Sequence, residues 1–189
     1  MLTRTQALLT ISENLTSQLV IHCNGYIGRE SFTLKDRREN FYMIGSMGLA
    51  SSIGFGLALS NPRKKVIVLD GDGNVLMNLG ALSTIGVFQP QNLTHIVLDN
   101  GVYGSTGNQP TLSSKIDLAK MAMAAGYRWM SKPNTIEELV QAFEKSQSTP
   151  GPCLIHILIP PTTDETGIGR VTYTPEEMTR RLRSVVAGH

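Results

Sequence analysis

The chain has 189 residues, 41% of them apolar and 17% charged, enough for one well-buried core and short for two; it is read as a single domain over residues 1–189, with the segment 160–189 packed on it. A formal charge of +2 is near neutral, and the basic clusters at 35–38, 63–65 and 180–183 are short and scattered, so they read as solvated surface and nucleic acid is not indicated. Cys23 and Cys153 form no CxxC, which fits free thiols in a reducing, cytoplasmic setting and excludes a zinc or iron–sulfur site built from this chain alone, and no apolar run approaches the ~20 residues of a membrane span.

Residues 2–15 place Leu2, Leu8, Leu9, Ile11 and Leu15 in a helical pattern with Arg4, Gln6, Ser12 and Glu13 among them, an amphipathic helix and not a secretory signal. Leu19, Val20, Ile21 and His22 read as a first short strand, and residues 24–30 as a loop opening from its end. Arg29 in that loop is a candidate anion ligand or, equally, the partner of Glu30 in an ordinary ion pair. Gly45, Ser46, Met47 and Gly48 run into a helix over 49–59 whose small residues Ala50, Ser51, Gly54, Gly56 and Ala58 suit very close packing, and Asn61-Pro62 ends it. Each buried glycine there costs about 1 kcal/mol of helix propensity relative to alanine, so packing onto a partner or a cofactor must compensate.

Val66, Ile67, Val68 and Leu69 lead into Gly71-Asp72-Gly73-Asn74, and Ile96, Val97 and Leu98 lead into Asp99-Asn100-Gly101-Val102-Tyr103. Two buried parallel strands thus deliver both loops to one sheet edge, the edge at which open α/β sheets bind ligands. Twenty-five residues separate Gly73 from Asp99, room for a turn, a helix over 78–88 and a parallel return. Asp72 offers a hard carboxylate and Asn100 an amide oxygen, while the glycines beside Asp72 let backbone approach a phosphate; together they suit Mg²⁺ holding a diphosphate. Gly-Asp-Gly is also a common turn, and Asn-Gly a hairpin signal. The stretch 103–111 lacks the alternation of a hairpin strand and is read as a polar loop.

Farther on, residues 117–125 read as a helix closed by Gly126, 127–130 as a strand, 135–147 as a helix with Thr135 and Glu138 in a capping box, and 153–159 as a strand stopped by Pro160-Pro161. The tail gives a loop, with Arg170 assigned to the surface in preference to a contact with a substrate anion, and a terminal helix over 178–186 with Pro175 in its first turn. Five strands alternating with helices predict a doubly wound parallel α/β sheet with helices on both faces.

Gly-Asp-Gly followed after about two dozen residues by Asp99-Asn100 resembles the signature of thiamine-diphosphate enzymes, in which both later residues are asparagines. By that resemblance Asp72, Asn100 and the carbonyl of Val102 are the Mg²⁺ ligands, and Gly45, Ser46, Met47, Gly71, Gly73, Asn74 and Tyr103 join them in holding thiamine diphosphate. Met47 becomes the residue over which the cofactor bends, and the Gly45 carbonyl takes a hydrogen bond from its aminopyrimidine; the plain alternative for Met47 is a core filler. With Ser105-Thr106-Gly107-Asn108-Gln109-Pro110-Thr111 added, the chain resembles, from about Leu19 to the terminal helix, the β subunits of sulfopyruvate decarboxylases and the C-terminal part of phosphonopyruvate decarboxylases. Asn108 stands where those relatives carry glycine.

This resemblance implies the diphosphate-type thiamine-diphosphate-binding fold and a 2-oxoacid decarboxylase, a carbon–carbon lyase. No catalytic residue is assigned in this chain: the glutamate that activates the aminopyrimidine is expected on an α-type partner subunit carrying the pyrimidine-binding domain, in a hetero-oligomer. Neutral donors on Ser105, Thr106, Asn108 and Gln109, with Arg29 adding charge, suit a short 2-oxoacid bearing a tetrahedral anion. Separate-subunit length ranks 3-sulfopyruvate, giving sulfoacetaldehyde and CO₂, ahead of 3-phosphonopyruvate. The alternatives are the β chain of a 2-oxoacid oxidoreductase and a non-catalytic cofactor-binding domain.

Overall fold

The computed structural model describes residues 1–162 and 167–187. Its centre is a six-stranded, all-parallel sheet made of β1 (Leu19–His22), β2 (Asn40–Tyr42), β3 (Val66–Gly71), β4 (Leu93–Asp99), β7 (Trp129–Ser131) and β8 (Cys153–Leu158), in the order β2-β1-β3-β4-β8-β7. Because successive strand residues face opposite ways, Leu19, Ile21, Val66, Val68 and Val97 pack with helices α3 (Ala50–Ser60), α5 (Gly80–Phe88) and α6 (Leu118–Ala125) on one face. Val20, Ile67, Leu69, Ile96 and Ile155 pack with α1 (Arg4–Glu13) and α7 (Ile136–Ser148) on the other. The doubly wound architecture is therefore as expected. From β1 the chain steps outward to β2 and then crosses back past β1 to β3, so the switch point lies between β1 and β3, where such sheets bind ligands.

Gly54 explains the small-residue helix. A Cβ there would stand 2.2 Å from Val68 Cγ2, so α3 lies almost on the backbone of β3. Gly56, by contrast, is exposed with open space before it, and the neighbouring apolar side chains Leu49 and Leu59 are exposed too. Compensation by packing thus applies to Gly54 and not, within this chain, to Gly56.

Four elements differ from expectation. The stretch 24–30 is not a loop: α2 (Tyr26–Leu34) starts after Gly25, and its buried face carries Glu30, tied to Arg4 and Thr5, so polar residues mask the helical pattern. β2 is a sixth strand of three residues, too short to show periodicity. The helix over 78–88 is present as α5, but the turn expected before it is a short helix of its own: α4 (Asp72–Met77) begins at Asp72 itself, and the chain breaks at Asn78, whose amide donates to the Gly48 carbonyl and the Ser52 hydroxyl. The stretch 103–111 is not an open loop, since β5 (Val102–Tyr103) pairs antiparallel with β6 (Gln109–Pro110) through a turn in which Gly107 and Asn108 are left-handed.

Thr135 caps α7 as expected, but Glu138 reaches back to the amide of Asn134 and not of Thr135. The terminal helix α8 (Pro175–Ala187) packs beside β2, with Met178 buried and Arg181 paired to Asp36 at 2.8 Å. Both cysteines are free and buried. Among the described residues no helix is long and apolar enough to cross a membrane.

Candidate functional site

A cavity of about 80 Å³ opens at the C-terminal ends of β1, β3 and β4, and its walls include Asp72, Asn100, Val102 and Met47. The pieces arrive from different elements for local reasons. Asp72 opens α4 directly after β3 and is 2% exposed. Asn100 follows β4, where its Oδ1 accepts from the Val102 amide at 3.1 Å, an Asx turn that sets the course of the loop. Met47 is brought over the cleft because Gly48 is gripped on both sides, its amide donating to Asn74 Oδ1 and its carbonyl accepting from Asn78, each at 3.0 Å.

Gly73 has a reason for being glycine within the protein itself, beside the one read from the sequence. A Cβ there would lie 2.7 Å from the Tyr103 ring and 3.2 Å from Met47 Cε, so the glycine makes room for protein side chains. Asn74 likewise lines the cleft, but its Oδ1 is committed to Gly48. Gly71 and Tyr103 line the cleft as expected, whereas Gly45 and Ser46 are exposed outside it.

The donor set is hard oxygen throughout: a carboxylate at Asp72, an amide at Asn100 and a main-chain carbonyl at Val102. Buried against the cleft, Asn24 Oδ1 finds no hydrogen-bond partner in the protein. Behind the donors runs a buried polar chain. Thr111 Oγ1 donates to Asp72 Oδ2 at 2.5 Å, Ser113 Oγ donates to Asp99 Oδ1 at 2.8 Å, and His156 Nε2 meets Asp99 Oδ2 at 2.8 Å. Two hydroxyl protons serve two carboxylates, so with both ionised the 2.9 Å approach of Thr111 Oγ1 to Ser113 Oγ carries no proton of its own.

Burial and the nearby charge of Asp99 push the Asp72 carboxyl up, against the opposing hydrogen bond from Thr111. At Asp99 burial, which alone raises it, is outweighed by hydrogen bonds from His156 and Ser113, so it titrates below the usual carboxylate range. A cation at Asp72 relieves the first of these, which is a physical fit between the residues present and a divalent metal.

Not every substrate candidate reaches the cleft. Ser105 and Thr106 line it, but Thr106 Oγ1 donates to Gln109 Oε1 at 2.9 Å. Gln109 is an exposed clasp of the hairpin turn, donating in return to the Thr106 carbonyl at 2.8 Å. Asn108, at φ 58, fills the left-handed turn position that glycine otherwise takes, which accounts for that exchange. Arg29 is displaced because it lies on α2 and not in a loop; its guanidinium sits 5.4 Å from the ring centroid of Tyr26, a cleft residue, without itself lining the cleft, and Glu30 pairs with Arg4 instead. Arg170 is exposed and off the cleft. The polar and aromatic side chains of the cleft missed from sequence are Arg4, Asn24 and Tyr26; the latter two follow β1, and placing β1 next to β3 at the switch point was the signal for them.

Oxygen donors and glycines gathered at the switch point of an all-parallel sheet define a ligand-binding domain of the doubly wound α/β class. The chain belongs to the family described as thiamine pyrophosphate enzyme, C-terminal TPP binding domain, which matches residues 23–157. It is similar to the sulfopyruvate decarboxylase subunit beta of Methanothermobacter thermautotrophicus, 39% identical over 100% of this chain and 97% of that one. It is also similar to the phosphonopyruvate decarboxylase of Streptomyces viridochromogenes, 47% identical over 88% of this chain and 42% of that one, so it spans less than half of that relative's length. Among solved structures, the thiamine diphosphate-dependent 4-hydroxybenzoylformate decarboxylase of Rhodococcus jostii RHA1 shares the fold with a TM-score of 0.73 at 20% identity, over 86% of this chain and 33% of that one.

Proposed function

We propose that this chain is the diphosphate- and Mg²⁺-holding part of a thiamine-diphosphate-dependent 2-oxoacid decarboxylase. The observation that carries the reading is the convergence of Asp72, Asn100 and Val102, from two separate strand ends, on one cleft. Asp72, Asn100 and the Val102 carbonyl would hold Mg²⁺, and Met47 and Tyr103, which close on Gly73, would flank the cofactor. Thiamine diphosphate, when bound, supplies the electron sink for loss of CO₂, and the protein orients it and excludes competing reactions. No glutamate lines the cleft among the described residues, which supports an α-type partner subunit supplying the pyrimidine-side carboxylate.

For the substrate we propose 3-sulfopyruvate, converted to sulfoacetaldehyde and CO₂, with Ser105 and Thr106 at the cleft and Arg4, paired to Glu30, as the cation that lines it. The full-length match to a sulfopyruvate decarboxylase subunit supports this order. Phosphonopyruvate is the second reading, favoured by the 47% identity to a phosphonopyruvate decarboxylase. The test is kcat/KM for sulfopyruvate, phosphonopyruvate and pyruvate on the chain reconstituted with its partner. Sulfopyruvate is expected to lead. Pyruvate handled as well as either dianion removes the anion pocket, a phosphonopyruvate preference reverses only the ranking, and decarboxylation by the chain free of partner refutes the divided site.

A further inference from the structure

Thr111 closes the motif whose Ser105, Thr106, Asn108 and Gln109 are read as substrate donors; itself given no role by the sequence, it is 5% exposed and absent from the cleft wall. What it touches is the metal site from behind. Its amide donates to the Gly101 carbonyl at 2.8 Å, in the loop between Asn100 and Val102. Its hydroxyl donates to Asp72 Oδ2 at 2.5 Å, on α4. One residue therefore ties together the two chain segments that bear all three oxygen donors. The Ser113 amide, 3.3 Å from Thr111 Oγ1, approaches the same hydroxyl oxygen as a donor and so directs the hydroxyl proton toward Asp72.

We propose that Thr111 is the positioning residue of the Mg²⁺ site, an inference that rests on the functional reading above. Mg²⁺ demands near-ideal octahedral geometry, so a carboxylate free to rotate is a poor ligand. With Oδ2 held by Thr111, the plane of the Asp72 carboxylate is fixed and Oδ1 is the oxygen left for the metal. Outer-shell partners of this kind set metal affinity by about 10–100-fold. The motif's end thus works on the metal, and only its Ser105-Thr106 portion works at the cleft.

The experiment is a calorimetric Mg²⁺ titration at saturating thiamine diphosphate, on the full chain assembled with its partner subunit. Thr111→Val and Thr111→Ala both delete the hydroxyl, and Thr111→Ser keeps it; metal-free melting curves establish that each variant is folded. Removing the hydroxyl is expected to weaken Mg²⁺ binding about tenfold or more, Thr111→Ser to stay within about threefold, and excess Mg²⁺ to restore the kcat of Thr111→Val. Unchanged Mg²⁺ affinity in a folded hydroxyl-deleted variant, or equal weakening in Thr111→Ser, overturns the inference alone. Failure of the unsubstituted enzyme to bind Mg²⁺ with thiamine diphosphate overturns the functional reading, and this inference with it.

Discussion

Two Asp–His pairs sit on the same face of the sheet, one strand apart, with the same offset. Asp70 on β3 lies opposite Val97 and meets His95, two residues earlier on β4, at 3.2 Å. Asp99 on β4 lies opposite Leu158 and meets His156, two residues earlier on β8, at 2.8 Å. Diagonal neighbours on a pleated face are within reach of long side chains, so the register alone makes both pairs. Their surroundings then separate them. His95 continues to the buried Tyr127 hydroxyl at 3.1 Å, and there the chain of bonds ends inside the core. Asp99 sits at the strand end and continues through Ser113, whose amide donates to Thr111 Oγ1, to the Thr111–Asp72 contact behind the cleft. The same chemistry is sealed in the core at the first pair, where Asp70 Oδ1 also accepts from the Gly71 amide at 3.1 Å, and reaches the back of the cleft at the second.

The largest effect that tests this division is at the cleft. Asp72→Ala leaves only neutral protein oxygens facing the metal, and it is expected to weaken Mg²⁺-dependent thiamine diphosphate binding by ~1000-fold, about 4 kcal/mol. Calorimetry on the assembled enzyme that finds ordinary cofactor affinity in this variant removes Asp72 from the metal site. The counterpart in the sealed pair is His95→Leu, which strands the Asp70 carboxylate and the Tyr127 hydroxyl in the core. That change should lower unfolding free energy by ~3 kcal/mol in urea titrations while leaving cofactor affinity within about threefold. A folded His95→Leu protein that has lost its cofactor breaks the distinction between the two pairs.

Much of this arrangement was legible in the sequence, and the part that was not has one cause. Val66 to Leu69 and Ile96 to Leu98 are apolar runs that announce buried parallel strands, so the two ligand loops and their common edge follow directly. Asp72, Asn100, Val102 and Met47 then fall together in the cleft. Arg29 does not, because its helix is disguised by a buried Glu30 whose partner, Arg4, lies twenty-six residues away. Thr111 was read as one more hydroxyl of a polar loop, since nothing local reveals that a hairpin turns it back toward β3. Side chains paired across strands are invisible to any pattern taken along the chain.

A third buried histidine sharpens the comparison. His22 stacks on Tyr42 with ring centroids 4.6 Å apart, and neither ring nitrogen has a hydrogen-bond partner in the protein. Burial pushes it down from 6.5 to about 3, so the folded protein holds it neutral where the unfolded chain takes up a proton. Its contribution is therefore complete above pH 6.5 and is lost as pH falls through the window toward about 3, at ~1.4 kcal/mol per pH unit. His22→Phe should flatten that part of the acid limb in denaturation curves taken between pH 6.5 and 4. An unchanged slope places the acid sensitivity elsewhere.

The smallest effect concerns the residue that departs from the asparagine pair of the thiamine-diphosphate signature. Asp99 Oδ1 accepts from Ser113 and from the Gly101 amide, and Oδ2 accepts from His156 Nε2, which therefore carries the imidazole proton. In Asp99→Asn the amide oxygen must keep the first two bonds, so its NH₂ turns toward His156. Two N–H groups cannot face each other, and His156 has to shift its proton to Nδ1. That nitrogen is buried with no partner in the protein, so the shift exchanges a satisfied donor for an orphaned one. The expected cost is ~1 kcal/mol of stability, with Mg²⁺ affinity reduced by less than in Thr111→Val because the Thr111–Asp72 contact survives. Replacing His156 by Gln alongside Asp99→Asn supplies an acceptor that needs no such proton, and the double variant should recover most of the loss. If the single change is neutral, or the double variant no better, the Asp99–His156 pair is not what the aspartate is there to make.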